Sequence, residues 1–265
     1  MDLATVLGLL VALGMVLGGN MMEGGKVSQI AQPTAAMIVI GGTIGATMIQ
    51  FPMKTLKRAV KGIASVFKQP PNMAEKLINE IVEYATTARK EGIVALENVV
   101  PNASDPFLAR ALMMAVDGAD SAAMRDALER SIGQMEEEGE DVAKVFEAAG
   151  GYSPTIGIIG AVLGLIQVMS HLSDIEKVGE GIATAFVATI YGVGFANIVA
   201  LPIGGKLKHR NREAIGLKTM MLEGALAIQE GMNPKIVRER LSSLHTSEKA
   251  SSGEKGSQEQ VRAAA

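Results

Sequence analysis

The chain has 265 residues, of which 48% are hydrophobic and 3% aromatic, and its mean hydropathy is +0.25. This composition is too apolar and too poor in aromatic residues for an ordinary soluble enzyme, so part of the surface must meet lipid. The absence of cysteine excludes disulfides, thiolate nucleophiles and cysteine metal sites, and the net charge of -3 says less than the distribution of the charges.

Four stretches lack Asp, Glu, Lys and Arg and are long enough to cross a bilayer, for which about 20 helical residues suffice. They lie between Asp2 and Glu23, between Lys26 and Lys54, between Glu147 and Asp174, and between Glu180 and Lys206. The first has no basic segment and no small-residue cleavage site, which indicates a retained anchor and not a signal peptide. Because only a helix satisfies its own backbone in hydrocarbon, the sequence predicts four transmembrane helices.

Two basic clusters set the predicted orientation of these spans. One follows the second span directly and the other follows the fourth; their members are Lys54, Lys57, Arg58 and Lys61, and Lys206, Lys208, Arg210 and Arg212. The positive-inside rule holds both clusters in the cytoplasm. Both termini are therefore predicted to be cytoplasmic, and the connectors after the first and third spans to be external.

The segment between the second and third spans is predicted to be helical. Pro70-Pro71-Asn72 breaks the chain before a helix predicted over Met73 to Lys90, whose apolar residues recur at helical spacing. Ser104-Asp105-Pro106 places a capping residue before a proline, which predicts a helix from Phe107 to Val116. Ser121 begins a charged helix running toward Ala149, although Gly133 and Gly139 weaken its predicted continuity.

These elements predict an all-α, polytopic membrane protein with four transmembrane helices and a helical cytoplasmic domain. The predicted division is residues 1–53 for the first two spans, 54–151 for the cytoplasmic domain, 152–205 for the last two spans, 206–245 for a cytoplasmic C-terminal helix and 246–265 for a disordered tail. The tail is assigned as disordered because it is polar and low in complexity.

Glycines form one face on each of two spans. Gly157, Gly160 and Gly164 share a face of the third span, and Gly41 and Gly45 share one on the second, so another backbone can approach closely at each. For the second span, packing within one subunit is the favoured interpretation. The face of the third span is long enough either to pack within the subunit or to admit a helix from another chain.

The spans also lack the group that ion-translocating proteins usually place inside a bilayer. No Asp, Glu, Lys or Arg lies within them, so a partner must supply a carboxylate if this chain moves ions. The sequence has no phosphate-binding loop, and its histidines have no metal-ligand spacing; they are His171, His209 and His245. The sequence therefore predicts no enzyme, no cofactor, no metal site and no nucleic-acid partner.

Four segments follow one another in the chain: GGTIGATMIQFP, ARKEGIVALE, SPTIGIIGAVLGLI and ATAFVATIYGVGFANIVALP. These segments, and the order of two spans, a charged helical insert and two further spans, resemble the MotA family of flagellar motor stator subunits, including its sodium-using members. The resemblance implies a complex in the bacterial inner membrane, in which five such subunits surround two copies of MotB. The single membrane helix of MotB would carry the ion-accepting aspartate, and the glycine face of the third span would look toward this partner.

The resemblance also assigns roles to individual residues. Pro154 and Pro202 match a pair at similar depth that is thought to transmit ion-driven change to the insert. From the residues alone, Pro154 in a first helical turn costs nothing, whereas Pro202 late in a helix favours a kink. Arg89, Lys90 and Glu97 match the charges thought to contact the rotor protein FliG. Lys90 and Glu97 would nearly share a stripe in one continuous helix, and the simpler alternative is a solvated charged face.

The ion pathway is assigned to Thr155, Ala161 and Thr189. Sodium requires oxygen ligands, and sodium-using relatives carry threonines at the positions of Ala161 and Ala188. Two methyl groups in place of two hydroxyls predict proton coupling. The alternative for Thr189 is a hydrogen bond back to its own helix.

Two other classes of protein share some of these features. ExbB and TolQ energise envelope transport with a related inner pair of helices, but their pattern has three spans and a different order of cytoplasmic parts. A passive channel or a structural membrane scaffold would also tolerate uncharged helices with glycine faces.

Overall fold

The computed structural model describes residues 2–68 and 73–245. The predicted break at Pro70-Pro71-Asn72 and the predicted disordered tail lie outside these residues. Within them the secondary structure is helical, without strands. The helices are α1 (Leu3–Met22), α2 (Pro33–Gln50), α3 (Met53–Val66), α4 (Met73–Glu91), α5 (Pro106–Val116), α6 (Ser121–Ser170), α7 (Ile175–Gln229) and α8 (234–245), with a single helical turn at Val27–Ile30.

Within the described residues, four helices are long and apolar enough to cross a membrane, namely α1, α2, α6 and α7. This confirms the predicted class of all-α polytopic membrane protein. α6 continues without a break through Gly133 and Gly139, so the weakness predicted there is absent. The predicted segment boundaries at residues 151 and 205 fall inside α6 and α7.

The chain forms two compact units. Among the described residues, the first contains 2–68 and 139–208, and the second contains 73–138 and 209–245.

The first unit holds α1 to α3, the end of α6 and the beginning of α7. Asp2 caps the start of α1: its carboxylate accepts a hydrogen bond from the Thr5 N–H and pairs with Lys206 at 2.5 Å. A carboxylate at this position satisfies an otherwise unpaired N–H and favours the positive end of the helix dipole. α3 is fixed by a small apolar cluster in which Val66, Ala143 and Leu207 are buried together.

The second unit has the larger apolar core. α4 contributes a buried stripe that includes Leu77, Ile78 and Ile81, as its spacing predicts. The largest fully buried side chains from the other elements of this core are Leu96, Leu108, Leu112, Met124, Leu128, Met220, Leu222, Val237 and Leu241.

The start of α5 follows the predicted cap. Asp105 accepts a hydrogen bond from the Phe107 N–H at 2.8 Å, and Pro106 occupies the first turn, where its missing N–H costs nothing. Lys218 of α7 binds the same carboxylate at 2.6 Å and lies 5.5 Å from the centre of the Phe107 ring. A single carboxylate therefore caps α5 and ties it to α7.

A second polar cluster links α6, α7 and α8. Glu223 is mostly buried and binds Arg125 at 2.7 Å and Arg240 at 2.5 Å. The hydrogen bond to Glu223 raises the pKa of Arg125 above its ordinary value. Two cations around one carboxylate satisfy its oxygens where solvent is largely excluded.

Candidate functional site

In the first unit, the third and fourth spans, which belong to α6 and α7, touch backbone to backbone. A methyl group on Gly157 would lie 2.9 Å from the Ala188 carbonyl oxygen, and one on Gly164 would lie 3.0 Å from the Gly181 carbonyl oxygen. Gly192 faces the third span in return, because its methyl group would lie 2.6 Å from the Ser153 carbonyl oxygen. Only glycine permits this approach of two helices.

The glycine face of the third span is thus occupied by the fourth span of the same chain. Gly160 completes it, since its methyl group would meet the Ala188 Cβ at 2.8 Å and the Ile38 side chain at 3.4 Å. The interpretation that this face looks toward a helix of another chain is therefore wrong. The residues of α7 that contact these glycines are also small, above all Ala185, Ala188 and Gly192.

The glycines assigned to the second span lie elsewhere. Methyl groups on Gly41 and Gly45 would meet nothing within 4 Å, and Gly41 is exposed. Their neighbour Gly42 makes the contact, because its methyl group would lie 2.9 Å from the Ile156 side chain. The interpretation that Gly41 and Gly45 pack within the subunit is wrong, and a pattern of small residues could not distinguish these adjacent positions.

The three residues assigned to the ion pathway do not form one cluster of free hydroxyls. Thr155 is exposed and donates to the Tyr152 carbonyl at 2.8 Å. Thr189 is partly buried and donates to the Ala185 carbonyl at 3.3 Å, the backbone hydrogen bond that the simpler alternative anticipated. Ala161 is partly buried and carries only a methyl group.

Ala188 differs from these positions because it is fully buried. It packs with Ala35 and Val39 of α2, beside Val187 and Tyr191. A side chain there lies between helices of the same subunit. The residue at 188 therefore bears on the packing of the spans more directly than on ligands for an ion.

The two prolines occupy different levels of the helix pair. Pro154 lies inside the long helix α6, so the assignment to a first helical turn is wrong. Pro154 lies opposite Gly192 of α7, because a methyl group on Gly192 would lie 3.2 Å from the Pro154 Cα. Leu201, the neighbour of Pro202, lies opposite Gly150 of α6, because its side chain would contact a methyl group on Gly150. This antiparallel register offsets the prolines by more than one turn, so the prediction of similar depth is also wrong.

Pro202 lies within α7, directly after a π-helical segment at Phe195–Ala200. A proline inside a helix cannot donate a backbone hydrogen bond, and a local change in helical winding accommodates that loss. Pro202 is exposed, and Pro154 is partly buried.

The outward side of the third span is apolar and uncovered within the chain. Its exposed residues are Ile158, Ile159, Val162, Leu163, Leu165, Ile166 and Met169. None of them is ionisable, so this face offers a partner shape and apolar contact without charge.

Tyr191 is a polar contact that the pattern of the spans did not reveal. Its hydroxyl donates to the Ile30 carbonyl at 2.7 Å and accepts from the Gln32 N–H at 3.3 Å. These bonds tie the segment before α2 to the fourth span. The available signal was a tyrosine within an apolar span, because a buried hydroxyl there needs a partner.

In the second unit, the assigned rotor residues lie on two sides of a chain reversal. Arg89 and Lys90 are exposed at the end of α4, and Glu97 is exposed on a 3₁₀ segment, Ile93–Asn98. Gly92 between them has φ +91°, which ends the helix. The single stripe through a continuous helix is therefore wrong. Leu96 is fully buried and holds the reversed segment against the core.

Glu80 stabilises the loop that follows this segment and was not identified from the sequence. Its carboxylate accepts hydrogen bonds from the Ser104 N–H at 2.8 Å, from the Ser104 hydroxyl and from the Tyr84 hydroxyl at 3.0 Å. Burial, followed by the contact with Glu80, raises the pKa of Tyr84 above its ordinary value. The phenol therefore remains a hydrogen-bond donor throughout the neutral pH range.

Comparison with known proteins supports a common plan. The profile described as the MotA/TolQ/ExbB proton channel family matches residues 99–220, and the profile described as Motility protein A N-terminal matches residues 6–92. Motility protein A of Bacillus subtilis is 36% identical over 91% of this chain and 90% of its own length. Chemotaxis protein PomA of Vibrio alginolyticus is 34% identical over 89% of this chain and 92% of its own length.

Solved structures agree with these matches along the chain. The fold is similar to a chain of C. jejuni MotAB, with a TM-score of 0.87, 30% identity, and coverage of 92% of this chain and 96% of that one. A chain of the flagellar MotAB stator complex from Bacillus subtilis gives a TM-score of 0.82 at 35% identity, covering 89% and 93%. The chain therefore belongs to the motility protein A (MotA) family, within the larger family of MotA, TolQ and ExbB proton channels.

Proposed function

We propose that this protein is the stator subunit of a flagellar motor, in which ion flow across the inner membrane drives torque on the rotor. The observation that carries this function is the likeness, over 92% of the chain, to the corresponding chain of C. jejuni MotAB. Two features of the chain agree with it: four spans without Asp, Glu, Lys or Arg and a separate helical unit with a charged edge.

The partner is a MotB-like single-span protein that supplies the ion-accepting aspartate. Its helix fits the apolar face of the third span that contains Ile158, Val162 and Ile166, because the glycine face is filled by the fourth span. An aspartate on the partner would meet no competing charge from this chain there.

Five copies of the chain around two copies of the partner form the proposed complex. The helix α1 has no buried residue within one chain, so its apolar surface is available to lipid or to a neighbouring copy. The rotor protein FliG is the proposed contact of Arg89, Lys90 and Glu97, whose exposure suits an electrostatic contact.

Both termini are proposed to lie in the cytoplasm, on the side of the two basic clusters. The ion pair between Asp2 and Lys206 supports this orientation, because it brings the start of the first span to the end of the fourth. The positive-inside rule then assigns that side to the cytoplasm. Residues 54–151 and 206–245 form the proposed cytoplasmic segments.

The proposed coupling ion is the proton. Ala161 and Ala188 carry methyl groups at positions where sodium-using relatives carry threonines, so their side chains supply no oxygen ligand. A sodium ion needs several oxygen ligands at close range, whereas a proton needs a titrating carboxylate and a transient chain of water. Pro154 and Pro202 remain the proposed elements of conformational coupling, now at two levels of one helix pair.

An ExbB- or TolQ-like energiser is the second candidate, since the profile over residues 99–220 describes all three proteins. The match of residues 6–92 to Motility protein A favours the motor. A passive channel or a scaffold would not require the partner.

Ion flux separates these functions. The chain expressed alone should conduct essentially no ions, and co-expression with a MotB-like protein should give motility that is lost when the partner's membrane aspartate becomes asparagine. Flux from the isolated chain would contradict the proposal, and rescue of envelope transport in place of motility would favour the energiser.

A further inference from the structure

The helix α3 joins two points at the same boundary of the membrane. It begins at Met53, immediately after the apolar helix α2 ends at Gln50. Directly after its last residue, the Phe67 carbonyl accepts a hydrogen bond of 2.9 Å from the N–H of Asp2, the residue that caps α1. Because α1 and α2 are both membrane spans, both ends of α3 lie where a span leaves the bilayer.

These attachments orient α3 along the membrane surface. Its 14 residues extend over roughly 20 Å, which is enough to reach from the end of one span to the start of another. Its inner side is fixed to the bundle, since Ala59 and Val66 are buried and a methyl group on Gly62 would lie 3.3 Å from the Leu207 side chain. The opposite, outer side is therefore left exposed at this level of the first unit.

The outer side combines apolar and basic residues in two adjacent stripes. Met53 and Val60 are seven residues apart and are 54% and 68% exposed. Lys54 and Lys61 have the same spacing and form the next stripe, and Lys57 lies between the two. α3 has no acidic residue, so its own side chains do not neutralise these lysines.

We propose that the outer face of α3 is a binding surface for anionic phospholipids. Met53 and Val60 enter the boundary of the acyl chains, while Lys54, Lys57 and Lys61 extend their methylene stems along it and bind headgroup phosphates. Lysines held at a membrane surface attract anionic lipid, and this attraction weakens within about a Debye length. The subunit is thus expected to prefer anionic lipid at the membrane boundary where α3 lies.

The experiment uses the absence of native cysteine. The variant Val60→Cys, labelled with an environment-sensitive fluorophore in the otherwise full chain, is reconstituted into vesicles of phosphatidylcholine and phosphatidylglycerol. Two vesicle preparations are compared. In one the phosphatidylcholine carries bromine high on its acyl chains, and in the other the phosphatidylglycerol does, with the brominated lipid at the same mole fraction in both. We expect quenching by brominated phosphatidylglycerol to exceed quenching by brominated phosphatidylcholine by roughly twofold or more at low salt, and less at high salt.

Two controls make the result specific. The variant Leu10→Cys places the fluorophore on the exposed apolar surface of α1, without nearby lysines in its helix, and should be quenched equally by both lipids. The triple change Lys54→Gln, Lys57→Gln and Lys61→Gln should equalise quenching at position 60, and the corresponding arginine changes should preserve the preference.

Three outcomes would overturn the proposal. Equal quenching by both lipids at position 60 in the native background would show apolar contact without headgroup binding. A fluorophore that is quenched at position 10 but is quenched by neither lipid at position 60 would show that another protein surface covers α3. A preference that survives the three glutamine changes would assign it to other residues. None of these outcomes depends on torque generation, so failure here is distinguishable from failure of the stator function.

Discussion

Gly157 and Gly192 lie against each other between the third and fourth spans, and a methyl group on Gly192 would lie 3.1 Å from the Gly157 Cα. The three atoms nearest to that methyl group are all backbone atoms, which cannot rotate away as a side chain can. The two spans therefore form one closely packed pair inside the subunit, and the apolar outward face of the third span stays uncovered within the chain.

The first prediction concerns this contact. We expect Gly192→Ala to destabilise the protein by about 1–3 kcal/mol, because the added methyl group must push the two backbones apart. Thermal unfolding in detergent and swimming in soft agar measure the effect. Gly194→Ala is the matched control, since its methyl group would meet nothing within 4 Å. Equal behaviour of both variants would contradict the close packing.

The second prediction concerns the cap of α5. Lys218→Met leaves the Asp105 carboxylate mostly buried without its cation, so the free energy for opening α5 should fall by about 1–3 kcal/mol. Hydrogen exchange of α5 amides reports this change. Arg130→Met removes an exposed pair with Asp126 in the same unit and should cost no more than about 0.5 kcal/mol. Unchanged hydrogen exchange in the Lys218 variant would show that the hydrogen bond between Asp105 and the Phe107 N–H stabilises α5 without help from Lys218.

The third prediction concerns the rotor. Charge reversal at Arg89 or Glu97 should weaken rotation while leaving the protein in the membrane, because both side chains are exposed and support no core contact. Tethered-cell torque and membrane abundance are the measurements. Partial rescue by a reversed charge on FliG is expected, and normal torque in the double reversal would count against a contact.

The fourth prediction concerns orientation. Reporter fusions after Arg58 and after Arg212 should report the cytoplasm, and fusions near Gly25 or Asp174 the periplasm. The motivation is the pair of basic clusters at the end of the bundle where Asp2 meets Lys206. An odd number of crossings between Arg58 and Arg212 is incompatible with the proposed stator.

The fifth prediction concerns the coupling ion. Swimming supported by this protein should persist when sodium is replaced by potassium, and should collapse with a protonophore. The reason is that the side chains of Ala161 and Ala188 offer no oxygen ligand. Strict dependence of swimming speed on external sodium would refute proton coupling.

The class of fold and the family follow from the amino-acid sequence alone. Uncharged stretches of sufficient length require helices in lipid, because hydrocarbon offers the backbone no other hydrogen-bond partners. Features that depend on neighbouring residues were also predicted correctly. The cap at Asp105 and the apolar stripe through Leu77 and Ile81 both lie where their spacing predicted. These features depend on residues within a few positions of one another.

The surfaces that contact one another became known from the packed structure. The glycines of the third span pack on their own subunit, Gly42 and not Gly41 or Gly45 makes the contact of the second span, and the two prolines lie at different levels. Glycine spacing shows that a helix can be approached closely, but it does not specify the helix that approaches. The register between distant spans, and contacts such as Tyr191 with Ile30 or Glu80 with Ser104, depend on how whole helices pack together, which spacing within one helix does not encode.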